Sequence, residues 1–395
     1  MTEPPTVPLP ARSKRLAVFL DGTWNAVDSN TNVWRMKELC ATAASEDVPQ
    51  LTHYEIGVNG VLGGIFGDGL TRNIRRAYEW LIDNYNEGDD IFIFGFSRGA
   101  YTARSLAGFI ARLGLLEPGA PLGVAQLYAR YQRSSARTIR ALRDEEARGT
   151  LRDVTIEERW MLKYAQAVPI KMVGVWDTVG ELGIPLFSIE GISRSTLGFL
   201  DTGLRLPIEN GYHALAIDEH RRVFAPTLWT VRRSSDPNAA QAAPRSTASV
   251  EQRWFVGAHA NVGGGCTDDL LAQVPLRWMM QKASTHGLAF RRNVEIDDEI
   301  LAAQIQDSYA RFMKGAYSRL SRPYYRPIGA LPVACAGGAE INVNETIDGS
   351  VFERWRAGPA YRPANLLAWA QLRTADPAAI IGPVRADDPR VAVPQ

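Results

Sequence analysis

Ile91-Phe92-Ile93-Phe94-Gly95-Phe96-Ser97-Arg98-Gly99-Ala100 runs a set of apolar, β-favouring residues straight into Gly-Phe-Ser-Arg-Gly, and Ala100 to Leu113 then reads as a helix. A strand, a tight turn and a helix around G-x-S-x-G form the layout of a nucleophile elbow, which lifts a serine hydroxyl above the end of a strand. The positions two before and two after the serine must be small, because strand and helix approach each other there. G-x-S-x-G alone is a weak signal. Its context carries the weight: the apolar strand before it, and Ala100, Ala103, Ser105, Ala107 and Gly108 opening the helix.

Outward from this stretch the chain alternates. Leu16 to Leu20 reads as a buried strand ending at Asp21-Gly22-Thr23-Trp24-Asn25, Val33 to Ala44 as a helix, and Thr52 to Ile56 as a strand. Glycines from Gly57 to Gly69 then suggest a loop, and Thr71 caps an expected helix over Arg72 to Tyr85. The order βαβαβα predicts a mostly parallel sheet with helices on both faces. Residues 117–166 interrupt it with a helical, Arg-rich insertion, read as a cap with an apolar underside. The sheet resumes at Ile170 to Trp176, which ends at Asp177-Thr178-Val179-Gly180. Glu209 to Glu219 reads as a helix, 232–249 as a polar surface loop, and Trp254 to Ala258 as the last core strand, ending at His259-Ala260-Asn261. Helices are expected over Leu270 to His286 and Asp298 to Leu320.

Composition excludes several classes. The 44 basic and 43 acidic residues leave a net charge of +1, which gives no global pull toward nucleic acid or an anionic membrane. Three cysteines, Cys40, Cys266 and Cys335, are too few and too scattered for a disulfide framework or a cysteine-based zinc site. No acidic or histidine cluster has metal-ligand spacing, and no cofactor is expected; the glycines from Gly57 match neither G-x-x-x-x-G-K-[ST] nor G-x-G-x-x-G. The Pro-rich start lacks the apolar region of a signal peptide, and no run is long enough for a transmembrane helix. The expected location is the cytoplasm, with export, if any, independent of a signal peptide. Arg130, Arg133, Arg137 and Arg140 form a helical basic stripe, read as a solvated face in preference to a head-group site.

Four loops, starting at Asp21, Gly95, Asp177 and His259, follow four apolar strands. A parallel sheet puts all four at its carboxyl edge, where open α/β sheets place their sites. They bring one serine, one aspartate and one histidine in the order Ser97, Asp177, His259, the order of α/β-hydrolases. Each type has a chemical reason. A serine hydroxyl needs an imidazole to take its proton, and the imidazole needs a carboxylate to fix its tautomer and stabilise its charged form. The developing oxyanion needs placed N–H donors: the backbone of Arg98 is one candidate, and Gly22 or Thr23 a second. Competing structural readings exist, with Ser97 as a turn residue and Asp177 as a helix cap. Asp21 is open between turn former, supporting group and rival acid. Of the five histidines only His259 follows a strand beside a glycine run; His213, His220 and His286 are placed in helical stretches.

The blocks LDGTWN (Leu20–Asn25), GFSRGAYTARSLAG (Gly95–Gly108), GVWDTVG (Gly174–Gly180), HALAIDEHRRVFAPTLW (His213–Trp229) and WFVGAHANVGGG (Trp254–Gly265) resemble a bacterial and fungal group of uncharacterised α/β-hydrolase-like domains that includes phospholipase effectors of type VI secretion. The resemblance spans roughly residues 15–290 and implies the same Ser97, Asp177 and His259. One departure stands out: the family usually has an aspartate where this chain has Asn261, and an amide cannot stabilise an imidazolium by charge. The expected organisation is a disordered tail (1–14), an α/β-hydrolase-like catalytic domain (15–290) and a helical and irregular extension packed on it (291–395). The expected function is serine hydrolysis of carboxylic esters, lipid-like acyl esters first, with at most transient membrane contact. The alternative is a catalytically weak binding module of the same fold. Delivery as a toxin would add an immunity or secretion partner.

Overall fold

A computed structural model describes residues 13–22, 27–44, 47–57, 63–133, 135–179, 208–235, 245–266, 270–335 and 338–388. The first half holds β1 (Arg15–Leu20), α1 (Asn32–Leu39), β2 (Gln50–Glu55), α2 (Gly63–Asn84), β3 (Asp90–Phe96), α3 (Arg98–Leu113), β4 (Leu115–Leu116), α4 (Val124–Tyr131), α5 (Ile139–Ala147), α6 (Ile156–Tyr164), β5 (Ala165–Gln166) and β6 (Ile170–Trp176). Then follow β7 (Ile208–Ala216), β8 (Thr230–Ser234), β9 (Val250–Phe255), α7 (His259–Gly263), α8 (Gln273–Thr285), α9 (Ser308–Arg311) and α10 (Ala316–Leu320). The last elements are β10 (Val333–Cys335), β11 (Gly338–Asn342), β12 (Glu345–Ile347), α11 (Gly349–Ala357), α12 (Ala364–Arg373) and β13 (Val384–Arg385).

Among the described residues, eight strands form one sheet in the order β13-β12-β9-β7-β6-β3-β1-β2. All neighbours pair in parallel except β12 with β13. This is the mostly parallel α/β sheet, with helices on both faces, that the alternation implies. The two-residue period of the strands divides the core. Leu16, Val18, Ile91 and Ile93 face α2 and α3, while Ala17, Phe19, Phe92 and Phe94 face α1 and α8. Both faces are covered, so these strands read as continuous apolar runs. Chain order reverses at β1, which lies between β2 and β3, and β3 delivers Ser97 beside that switch point.

Several expectations need correction. Glu209 to Glu219 is not a helix: β7 runs through it in mid-sheet, and all but one of its residues are buried. Its Ala, Leu and Glu content imitates a helix because a strand buried on both faces shows no polar alternation. The glycine-rich loop is shorter than expected, since α2 begins at Gly63. The strand before His259 starts at Val250, and it is not the last: β12 and β13, from the C-terminal region, extend the same sheet. Residues 308–320 form two short helices joined by left-handed Met313 and Lys314, not one continuous helix. Lys14, read as tail, is held by Asp89 through its backbone N–H and its ammonium; residues 1–12 of that tail lie outside the described residues.

The insertion's apolar residues pack onto the neighbouring helices. Leu115, Leu116, Leu122, Leu127, Tyr128 and Met161 are buried in one cluster with α2 and α3, so the apolar underside is already covered. Its arginines divide: Arg133 and Arg140 are exposed, as a solvated stripe would be, whereas Arg130 is buried and Arg137 half-buried. Arg130 donates to Glu158 at 2.7 Å, Arg137 reaches both oxygens of Glu158 at 3.0 and 2.6 Å, and Arg133 pairs with Glu157. Burial alone would raise the Glu158 carboxyl, but Arg137, the Thr155 N–H and Arg130 hold it down at about 2.

Candidate active site

Ser97 caps the N-terminus of α3 in a left-handed conformation, φ 58° and ψ −123°. A β-carbon at Gly95 would collide with the Gly99 carbonyl, and one at Gly99 with the Leu20 carbonyl, so neither neighbour can carry a side chain. The strain at Ser97 is held by packing of β3 and β1 against α3. Arg98 opens α3 directly after the serine, at the helix end that favours negative charge. Gly22 is a poor second donor, because its N–H already goes to Asp21 Oδ1 at 2.7 Å. Thr23 lies outside the described residues.

Ser97, His259 and Asp177 come from the ends of β3, β9 and β6 and meet in one hydrogen-bonded chain. His259 Nε2 lies 2.9 Å from Ser97 Oγ, and His259 Nδ1 lies 2.5 Å from Asp177 Oδ2. With the carboxylate fixing the proton on Nδ1, Nε2 is left to accept from the serine. The imidazole is walled by the rings of Phe96 and Phe224, with centroids at 4.7 and 4.9 Å. Burial pushes His259 below the ordinary imidazole value, against the pull of Asp177 and Glu219. Burial would raise the Asp177 carboxyl, but Arg326 and His259 hold it well below the usual carboxylate range.

Asp21 belongs to a separate cluster. It accepts from Thr31 Oγ1 at 2.6 Å and Tyr54 OH at 2.8 Å besides Gly22, and so ties β1 to α1 and β2. Asn261 has no hydrogen bond to His259. Its Oδ1 accepts the N–H of Ala258 at 3.1 Å and of Gln306 at 3.0 Å, pinning the turn before α7 to the C-terminal region.

Two charged groups at the site carried no assignment from the sequence. Glu219, just after β7, accepts the backbone N–H of His259 at 3.2 Å and the Ser308 hydroxyl at 2.8 Å, and Arg221 neutralises it at 2.8 Å. It lies inside the HALAIDEHRR block, which marked the segment without giving the residue a role. Arg326 is fully buried and donates to both oxygens of Asp177. It stands in a Pro- and Tyr-rich stretch with no motif. His213 sits inside β7, accepting the Thr178 N–H at 3.1 Å, away from the serine's chain of contacts. Among the described residues no group of His, Cys, Asp and Glu could hold a metal ion, and no helix is long and apolar enough to cross a membrane.

Comparisons with known proteins add the family. The uncharacterized protein YEL023C of Saccharomyces cerevisiae is 26% identical over 241 residues, 55% of this chain and 33% of that protein. Among solved structures, an uncharacterized protein from Pseudomonas aeruginosa is similar at 15% identity and a TM-score of 0.39, over 74% of this chain and 48% of that one. The Tle1 effector bound to the VgrG spike of the type 6 secretion system is similar at 16% identity and a TM-score of 0.35, over 65% and 52%. The chain thus spans about a third of its curated relative and about half of each solved chain. A family model described as T6SS, phospholipase effector Tle1-like, catalytic domain, matches residues 14–282. The chain belongs to the Tle1-like phospholipase effector family, matching the model of that family's catalytic domain.

Proposed function

We propose that the protein hydrolyses carboxylic esters of lipids through an acyl-enzyme on Ser97, with His259 as general base and then general acid and Asp177 as its orienting carboxylate. The observation that carries this reading is the unbroken chain from Ser97 Oγ through His259 to Asp177, at 2.9 and 2.5 Å. Ser97 Oγ attacks the ester carbonyl as its proton passes to Nε2. The alkoxide leaving group takes that proton, and a water activated by the same nitrogen releases the acid. The backbone N–H of Arg98 supplies one donor to the oxyanion. Family membership supports a phospholipid or lysolipid as the acyl donor. A blocked elbow, or His259 turned away because of Asn261, would favour the binding-module alternative; Asn261 is held by Ala258 and Gln306, and His259 faces Ser97. The test is labelling by a fluorophosphonate probe. Wild type should label and the Ser97→Ala variant should not; equal labelling of both would overturn the assignment. Soluble esters of graded chain length, set against phospholipid vesicles, then identify the substrate form. Family membership also supports delivery by type VI secretion with a secretion or immunity partner, tested by release of the tagged chain from cells with and without the apparatus.

A further inference from the structure

We propose that Arg326, outside the family-matched segment, is a positioning residue of this site: it clamps the Asp177 carboxylate in the orientation that serves His259 and takes up part of its charge. The inference rests on the serine-hydrolase reading above.

Arg326 Nη1 donates to Asp177 Oδ1 at 2.6 Å and Nη2 to Oδ2 at 3.0 Å, a two-point grip that fixes the plane of the carboxylate. The same nitrogens donate to the carbonyls of Ala216 at 2.8 Å and Phe224 at 2.6 Å. Both partners matter for the site. Ala216 ends the strand next to Asp177, and its own N–H reaches Asp177 Oδ1 at 3.1 Å. Phe224 carries the ring that walls His259. The guanidinium therefore joins the acid, the neighbouring strand and the wall of the imidazole. Neither Arg326 nor Asp177 has any exposed side-chain surface, so water cannot replace this contact. Lysine has one charged nitrogen and could not reproduce the planar fork.

The charge consequence is specific. In an isolated Asp–His pair, protonating the imidazole gives a neutral pair. Here Arg326 already balances Asp177, and Arg221 balances Glu219. Among the described residues these four act on the histidine and its acid, and Arg104 and Arg326 both act on the buried His213. Protonation of His259 therefore leaves the cluster with one net positive charge, which appears together with the oxyanion. Arg326 thus keeps His259 neutral, and able to act as a base, to lower pH. It reaches the site only because β12, β13, α11 and α12 pack the C-terminal region on β7 and β9.

The test uses the full chain with a soluble ester, recording kcat and KM against pH for wild type, Arg326→Gln and Arg326→Lys, with melting temperatures. Arg326→Gln should lower kcat by about 10–100-fold with little change in KM. Its acid limb should move to higher pH by about half a unit or more, because a cation near the histidine is gone. Arg326→Lys should keep the limb near its wild-type place while recovering only part of kcat. In an Asp177→Asn background, Arg326→Gln should cost no further rate. Folded variants with kcat within about threefold of wild type and an unmoved limb would overturn the inference. If neither variant folds, arginine side-chain NMR of wild type and Arg221→Gln decides: an arginine signal that persists in Arg221→Gln and shifts as His259 titrates supports the inference, and the lack of any such signal overturns it. Ser97→Ala separates the two claims. Absence of Ser97-dependent turnover in wild type overturns both, whereas Ser97-dependent turnover with indifferent Arg326 variants overturns only this one.

Discussion

Asp177 Oδ2 accepts two hydrogen bonds at once, from His259 Nδ1 at 2.5 Å and from Arg326 Nη2 at 3.0 Å. The carboxylate that orients the imidazole is therefore itself oriented, by a residue 149 positions away along the chain. In the proposed mechanism structural support and chemistry meet on this one atom.

Ser97→Ala is expected to lower kcat by about 10⁴–10⁶ with little change in melting temperature. The hydroxyl contributes chemistry and almost no packing, and alanine keeps the small side chain that the elbow needs. Turnover of a p-nitrophenyl ester with a parallel thermal melt checks this; retained turnover would remove Ser97 from the mechanism.

Asp177→Asn is expected to cost about 10⁴ in rate by allowing the wrong histidine tautomer. It should also cost about 3–5 kcal/mol of stability, because it leaves the Arg326 cation buried without its anion. Asp21→Asn should do the reverse, lowering stability through the Gly22, Thr31 and Tyr54 contacts while sparing most of kcat. Denaturant titration and rate measurement on both variants distinguish the two carboxylates. A larger rate loss for Asp21→Asn would mean that the wrong acid has been assigned.

Asn261→Asp should leave the acid limb of the rate profile nearly in place, since the side chain faces the Ala258 and Gln306 N–H groups and not the imidazole. Asn261→Ala should cost about 2 kcal/mol, because both donors lose their acceptor. A large upward shift of the limb in Asn261→Asp would show that the position senses the histidine after all.

Stability should fall with acid in a window set partly by His213. Burial pushes its pKa down from 6.5 to about 3, with Arg104 adding to the shift. The unfolded chain binds this proton below pH 6.5 and the native one only near 3, so stability declines as pH falls between those values. One such proton corresponds to about 1.4 kcal/mol per pH unit. His213→Asn should reduce that slope by about one proton, whatever it does to stability at neutral pH. An unchanged slope between pH 6 and 4 would mean that His213 is protonated in the native state.

Glu158→Gln should cost about 3 kcal/mol by leaving Arg130 and Arg137 poorly paired, yet kcat should stay near wild type. The insertion buries its apolar residues on α2 and α3, so the network stabilises that layer and not the chemistry. A kcat loss beyond tenfold without unfolding would return the insertion to the active site.

What the sequence by itself determined was local. The elbow, the parallel alternation and the residues Ser97, Asp177 and His259 were legible because each follows an apolar strand, and a parallel sheet carries strand ends to one edge. β7 was not legible, since a strand buried on both faces lacks the two-residue alternation that distinguishes it from a helix. The insertion's arginines showed helical spacing, but only packing decided that Glu158, and not solvent, would meet Arg130 and Arg137. Arg326 and Glu219 depended wholly on tertiary structure. A lone buried charge has no periodicity, and its partner is chosen by contacts across 149 and 40 residues, where neither propensity nor motif reaches.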